Sequence, residues 1–260
     1  MTITPNTNLP KTPSDTLSVM SYNVWVGGQS PARNARVLTL IKTYRPDVLG
    51  VQEACPAWRE TLTNGLSDYA CVGEGRDGGA KGEANPIFYR KDAFTLLDSG
   101  TRWLSDTPDR VSKYDESSLN RILTYAVLRR NSDGKEFVHV NTHYDHTNDL
   151  AREKQSMALV GIIKTLPQAE LTVLTGDFNT EPNTAAYRTV LGAGFTDASA
   201  AAIEKEESPT FHGNGTAALF IDFCFLSTER FPVIKYRVCT ETIDGDYASD
   251  HHPVYTEIRF

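Results

Sequence analysis

Two short clusters carry the residue types that phosphate-ester hydrolysis requires. Asp177-Phe178-Asn179 offers a carboxylate able to act as a base and a carboxamide to orient it. Ser249-Asp250-His251, near the other end of the chain, offers a metal-binding carboxylate and an imidazole for phosphoryl oxygens. Each cluster is expected at the end of a strand, where an α/β fold places its chemistry. The combination suggests a metal-dependent phosphodiesterase or phosphatase.

The elements that must position these residues are legible as apolar runs, several of which hand over a polar residue. Leu17–Asn23 alternates like a half-buried strand and delivers Asn23. Val48–Gln52 reads as a buried strand delivering Glu53, and Phe137–His143 alternates and hands over His143, Asp145 and His146. Leu171–Gly176 precedes Asp177, while Phe220–Leu226 carries Asp222 inside an otherwise apolar strand. Helices are expected from Ser30-Pro31 to Tyr44, over Pro56–Leu66, over Leu150–Leu166 and over Thr184–Leu191. Further strands are expected at Tyr69–Val72, Pro86–Tyr89, Phe94–Leu97, Leu123–Arg129, Phe231–Val238 and Val254–Phe260, with a hairpin turn at Asn131–Gly134.

Six blocks then appear in order between residues 21 and 254: Ser-Tyr-Asn-Val-Trp, Val-Gln-Glu, Asn-Thr-His-Tyr-Asp-His, Gly-Asp-Phe-Asn, Ile-Asp-Phe and Ser-Asp-His-His-Pro-Val. In this the chain resembles the endonuclease/exonuclease/phosphatase superfamily. Asn85–Asp92 followed by Trp103-Leu104-Ser105 is most similar to its bacterial members, whose substrates are poorly defined. The resemblance implies a DNase-I-like four-layer α/β sandwich, with two packed mixed sheets flanked by helices.

It also implies roles. Glu53 is the main ligand of a hard cation, Mg²⁺ or Mn²⁺, which prefers oxygen donors; Asp250 completes or orients the metal sphere and Asn23 supports it. Asp177 is the base that takes a proton from the attacking water, with Asn179 positioning water or phosphate. His251 stabilises charge on the phosphoryl oxygens, and Asp222 keeps its imidazole oriented and protonated. His143 is a second phosphate donor, or helps protonate the leaving oxygen. Asn85, Arg121, Asp145 and His146 are weaker candidates for lining the pocket. Two departures stand out: Phe220 occupies a position where family members often carry a basic residue, and Trp25 stands where abasic-site nucleases have an acid. The second puts a second metal and a repair role in doubt.

Composition agrees. At 260 residues and 40% hydrophobic content the chain can bury one substantial core, so residues 17–260 are expected to form one catalytic domain behind a flexible leader at 1–16. No segment approaches the roughly 20 apolar residues of a membrane span, and no secretory signal is evident. A cytoplasmic location is therefore the default, or a secreted or periplasmic one if a signal has been removed. A monomer with no obligate protein partner is expected. The four cysteines lack metal or redox spacing, and Cys71 and Cys224 are expected as buried free thiols in apolar strands. The five glycines of residues 73–82 mark a loop at the pocket rim.

A formal charge of −7 weighs against holding long nucleic acid on a basic surface. It does not weigh against a nuclease, because a bound cation reverses the local field. The leading expectation is a phosphodiesterase of nuclease type. The second is a phosphoesterase acting on a small or lipid-linked phosphate such as a nucleotide, phosphoinositide or sphingomyelin, which a closed pocket or an apolar rim around Trp103 would favour. The third is a non-catalytic binding module on the same fold.

Overall fold

The structure, a computed structural model, describes residues 15–260; the expected leader falls almost wholly on residues 1–14, outside the described residues. The first sheet comprises β1 (Thr16–Asn23), β2 (Val48–Gln52), β3 (Tyr69–Val72), β4 (Ile87–Arg90), β10 (Glu204–Glu206), β12 (Val233–Val238) and β13 (Val254–Arg259), ordered β10-β12-β13-β1-β2-β4-β3. The second comprises β5 (Phe94–Trp103), β6 (Ile122–Arg130), β7 (Glu136–His143), β8 (Leu171–Asp177), β9 (Thr196–Asp197) and β11 (Asp222–Leu226), ordered β5-β6-β7-β8-β11-β9. Both are mixed. β1 and β2 run parallel through the crossover helix α1 (Pro31–Tyr44), and β7 and β8 run parallel through α3 (Asp149–Ile163). The other helices are α2 (Pro56–Gly65), α4 (Ala185–Gly192) and the short α5 (Ala198–Ala201).

The helices start where their capping chemistry directs. Ser30 Oγ accepts from the Arg33 N–H ahead of Pro31, Asn148 caps α3 through the Leu150 and Ala151 N–H groups, and Thr184 caps α4 through Tyr187 N–H. Apolar faces then stack the elements into four layers. Leu17, Val19, Phe137, Leu171 and Ile258 fill the space between the sheets. Val37, Leu40, Ile41 and Trp58 cover the outer face of the first sheet, and Leu159, Ile162 and Val190 that of the second.

Several expectations change. β5 continues to Trp103, six residues beyond the expected strand, through a register shift between Leu96 and Asp98. Asp222 is the first residue of β11 rather than an interior one, which puts its carboxylate at the strand end. Ser249-Asp250-His251 does not end a strand; it lies in the loop entering β13, and reaches the same end of the sheet because β13 runs antiparallel to β1. Cys224 is a buried thiol, but Cys71 is exposed: β3 is an edge strand with one face in solvent. Among the described residues no helix is long and apolar enough to cross a membrane.

Near the C-terminal ends of β2, β7 and β8 the layer between the sheets turns polar. Asn141 on β7 crosses to the first sheet, donating through Nδ2 to the carbonyls of Val51 (2.8 Å) and Pro86 (3.2 Å) and accepting from Gln52 Nε2 (2.7 Å) and Thr175 Oγ1 (3.1 Å). His139 Nε2 lies 2.8 Å from the same Thr175 hydroxyl, and burial lowers its pKa to about 3, so it is a neutral member of this seam. The sheets approach so closely here that a Cβ on Gly50 would stand 2.5 Å from Thr175 Oγ1 and 2.6 Å from Asn141 Oδ1. Gly50→Ala is therefore expected to destabilise the fold by about 1–3 kcal/mol, the usual cost of overpacking. Urea unfolding checks this, and an unchanged midpoint would show that the seam yields freely.

Candidate active site

Five strand termini converge at one end of the two sheets. Asn23 ends β1, Glu53 follows β2, His143 ends β7, Asp177 ends β8 and Asp222 begins β11. Strand register sets two of the neighbours: Asp177 pairs with His143 across the parallel β7/β8 ladder and with Asp222 across the antiparallel β8/β11 ladder. Three residues around the site, Trp25, Glu53 and Asn179, have left-handed backbone, with φ of 55°, 60° and 48°. For non-glycine residues this costs energy and persists only where surrounding contacts hold it.

Asp177 is the centre. Its Oδ2 accepts from Asn23 Nδ2 at 2.9 Å and lies 3.5 Å from His143 Nε2 and 3.7 Å from His251 Nε2, while its Oδ1 accepts from the Asn179 N–H at 2.9 Å. The carboxamide expected to orient this acid is thus that of Asn23. Asn179 contributes its backbone, and its side-chain amide donates to the Tyr144 carbonyl. Burial and the nearby charge of Asp222 raise the proton affinity of Asp177, opposed by His251 and by the donors just named.

His251 is set by Asp222, whose Oδ2 is 2.8 Å from Nδ1. Burial alone would lower the imidazole, but the charge and hydrogen bond of Asp222, reinforced by Asp177 and Asp250, raise it to about 10. His143 goes the other way: burial, then the charges of Arg121, His251 and Arg76, hold it well below the ordinary value, so it is a neutral donor. The two imidazoles that flank Asp177 therefore carry different charge.

The opposite wall is acidic. Glu53 Oε1 accepts from Asn23 Nδ2 at 3.0 Å and Oε2 from the Val26 N–H at 2.7 Å. Asp250 is raised by burial and by the charge of Glu53, against the effect of His251. Neither carboxylate has a cationic ion-pair partner among the described residues. One ligand atom each from Glu53, His143 and Asp177 lies within 4.8 Å of the others, as does a second set from Asp177, Asp222 and His251. In the second set the His251 Nδ1 is already engaged by Asp222 and the ring is charged, so the Glu53 side is the better seat for a cation.

The weaker candidates separate. Asn85 and Arg121 line a cleft beside His143, and His146 sits against Arg121, Nδ1 to Nη2 at 3.1 Å. Asp145 does not join them. Its two oxygens accept from Ser117 and Ser118 on one side and from Thr147 and Asn148 on the other, which holds its pKa low and makes it a tie between two loops. Trp103 forms no apolar rim: it is buried behind the glycine-rich loop, donating from Nε1 to the Arg76 carbonyl at 2.7 Å.

Two residues of the site had no signal in the sequence. Arg33, on the first turn of α1, is buried between the rings of Trp25 and Trp58 and donates to the carbonyls of Val24, Trp25, Gly27, Gly28 and Ala248. It thereby ties the loop after Asn23 to the loop before Asp250. Arg76, in the glycine-rich loop, lines the cleft and is forked onto Glu83 by two bonds of 2.9 Å.

The model of the endonuclease/exonuclease/phosphatase family matches residues 20–251. A solved endonuclease/exonuclease/phosphatase from Bacteroides vulgatus is 31% identical, with 94% of this chain and 98% of that one covered, at a TM-score of 0.86. A mannosyl-6-phosphatase from Bacteroides thetaiotaomicron is 29% identical over 94% of this chain and all (100%) of its own, also at 0.86. Humanized D. rerio TDP2, at 21% identity, 94% and 99% coverage and a TM-score of 0.76, shares the fold. No curated protein matches the chain.

The charge on His251 is testable without any substrate. In metal-free protein its ring resonances are expected to report an imidazolium throughout the neutral range, because its pKa is raised to about 10. Asp222→Asn removes the largest raising influence and leaves burial opposed only by Asp177 and Asp250, so the ring should titrate well below its wild-type value. NMR titration decides, and a ring that stays charged in the variant would assign its stabilisation elsewhere.

Proposed function

The chain belongs to the endonuclease/exonuclease/phosphatase family, hydrolases of phosphate esters, and from that premise we propose that it is a divalent-metal-dependent phosphoesterase acting on a small phosphorylated, hydroxyl-rich compound. The carrying observation is the Asp177 carboxylate, faced by Asn23, His143 and His251 and grouped with Glu53, while Ser249 Oγ ties the Asp250 loop to the Asn23 carbonyl. The reading of the substrate is supported by the 29% identity to a mannosyl-6-phosphatase along the whole length of that protein. It is supported too by the net charge of −7, which suits a small ligand better than a long polyanion.

The donor set fits a hard cation. Mg²⁺ is held through one or two carboxylates and keeps waters and substrate oxygens for its other positions, and Mn²⁺ accepts the same ligands. Glu53 and Asp250 would supply the carboxylates, with Asn23 fixing Glu53. When bound there, the ion neutralises phosphoryl charge and makes a water more acidic.

The protein's own groups do the rest. Asp177 takes a proton from the attacking water as the new oxygen–phosphorus bond forms and the bond to the leaving oxygen breaks. Its raised proton affinity brings it nearer the range in which a base operates. His251, kept charged by Asp222, stabilises the negative charge gathering on the phosphoryl oxygens. His143, kept neutral, acts as a hydrogen-bond donor rather than an acid, and the leaving oxygen takes its proton from water.

A second reading is cleavage of a phosphodiester in an oligonucleotide. The exposed rings of Phe220 and Tyr247, on the segments leading into Asp222 and His251, favour it because such rings can stack bases.

A panel of sugar phosphates, nucleotides, single-stranded DNA and RNA, duplex DNA, phosphoinositides and sphingomyelin, with Mg²⁺, Mn²⁺ or EDTA, tests both readings. Hydrolysis of a sugar phosphate that EDTA abolishes and Glu53→Ala loses is expected; preferential cleavage of an oligonucleotide would favour the second reading. Asp177→Asn should lower turnover by at least about 100-fold, the lower end of what a general base contributes. Near-normal turnover by the folded variant would remove Asp177 from that role.

A further inference from the structure

Arg121 differs from the other buried cations. Arg33 is satisfied by backbone carbonyls and Arg130 by Asp133. Arg121 is only 4% exposed, yet among the described residues the one hydrogen-bond partner of its side chain is His146, its Nε has none, and no carboxylate lies within ion-pair distance. A buried cation left in this state is costly, and an anion arriving beside it relieves that cost.

The surroundings specify what kind of anion. Arg121 lines the cleft together with Asn85, Asn120, His143 and the Arg76–Glu83 pair. Glu83 cancels the charge of Arg76, so the uncompensated charge in the cleft is that of Arg121. His143 also stands 3.5 Å from Asp177, which connects the cleft to the hydrolytic centre. The walls are braced: Asn120 donates to Asp77, Asn85 to the Ile122 carbonyl and Trp103 to the Arg76 carbonyl. The cleft has room for little more than one water-sized group, about 10 Å³, close to the roughly 10–15 Å³ that holds a single water. It is the size for one group, with polar walls.

We propose that this cleft receives a terminal oxygen of a phosphomonoester, that Arg121 pairs with the charge on it, and that the enzyme thereby selects monoesters over diesters. A monoester carries nearly two negative charges at neutral pH, because its second pKa is about 6; a diester carries one. A diester also places its second ester substituent where a monoester has an oxygen, and a small cleft walled by Arg121, Asn85 and Asn120 has no room for such a substituent. This rests on the phosphoesterase reading and names its substrate class.

Two measurements on the full chain test it. In the first, inorganic phosphate is titrated in EDTA against the wild type, Arg121→Met and Arg121→Lys, with Tm and calorimetric affinity as readouts. Phosphate should raise the wild-type Tm, Arg121→Met should weaken binding by at least about tenfold and lose the Tm rise, and Arg121→Lys should fall between, having the charge without the fork. Equal phosphate affinity in all three overturns the proposal.

In the second, kcat/KM is compared on p-nitrophenyl phosphate and bis(p-nitrophenyl) phosphate with Mg²⁺. Arg121→Met should lose about 100-fold on the monoester, within the range for truncating one partner of a buried charge pair, and no more than about tenfold on the diester. Equal loss on both overturns the proposal. Failure of the wild type to turn over either ester, or any of the wider panel, would instead count against the phosphoesterase reading, and the phosphate titration would still decide the role of Arg121.

Discussion

The carboxamide of Asn141 is the contact on which the arrangement of the two sheets turns. Apolar packing between sheets is tolerant of sliding, whereas a buried amide must have its donors and acceptors met at particular places. Asn141 meets them at the Val51 and Pro86 carbonyls, Gln52 and Thr175, each within two residues of a residue of the site. Gln52 precedes Glu53, and Thr175 lies two residues before Asp177. Satisfying this one amide therefore sets how far the end of β2 stands from the end of β8, and Gly50 is the residue that lets the sheets come that close.

With the strand ends aligned, the site becomes a problem of gathering charge where water is scarce. Asp177 and Asp222 are both buried and adjacent across a ladder, and would repel. His251 between them resolves this by carrying a proton, which the two acids stabilise in return. His143, which faces Arg121 and Arg76, is kept neutral first by burial and then by those charges. Arg33 steadies the rim by holding five carbonyls of the surrounding loops, so that Glu53 and Asp250 stay together despite their mutual repulsion. The left-handed backbone at Trp25, Glu53 and Asn179 is a further cost that this bracing sustains.

The places where sequence reasoning went astray share a cause. Asp145 looked available because it sits in a His-Tyr-Asp-His run, but six donors from neighbouring loops occupy it. Asn179 looked like the partner of Asp177 because it is two residues away, yet the carboxamide that reaches Asp177 comes from Asn23 on the other sheet. Cys71 reads as buried yet is exposed, since an apolar strand does not reveal that it lies at a sheet edge. In each case at least part of what decides the residue's surroundings lies far along the chain: the Ser117-Ser118 loop for Asp145, β1 for Asp177, and the sheet order for Cys71.

What the sequence by itself determined was local and periodic. Alternation marked β1 and β7, Ser30-Pro31 marked the start of α1, and ordered polar blocks after apolar runs marked Asn23, Glu53, His143, Asp177, Asp222 and His251 together with their family. Those signals survive in one dimension because strand pleat, helix capping and motif order depend on residues close in the chain. Tertiary structure alone decided that Arg33 braces the rim, that Arg76 is neutralised by Glu83, that Arg121 is buried without an acid, and that the histidines beside Asp177 differ in charge. Burial and charge are properties of everything that surrounds a group, and nothing in its own stretch of chain records what the fold will bring against it.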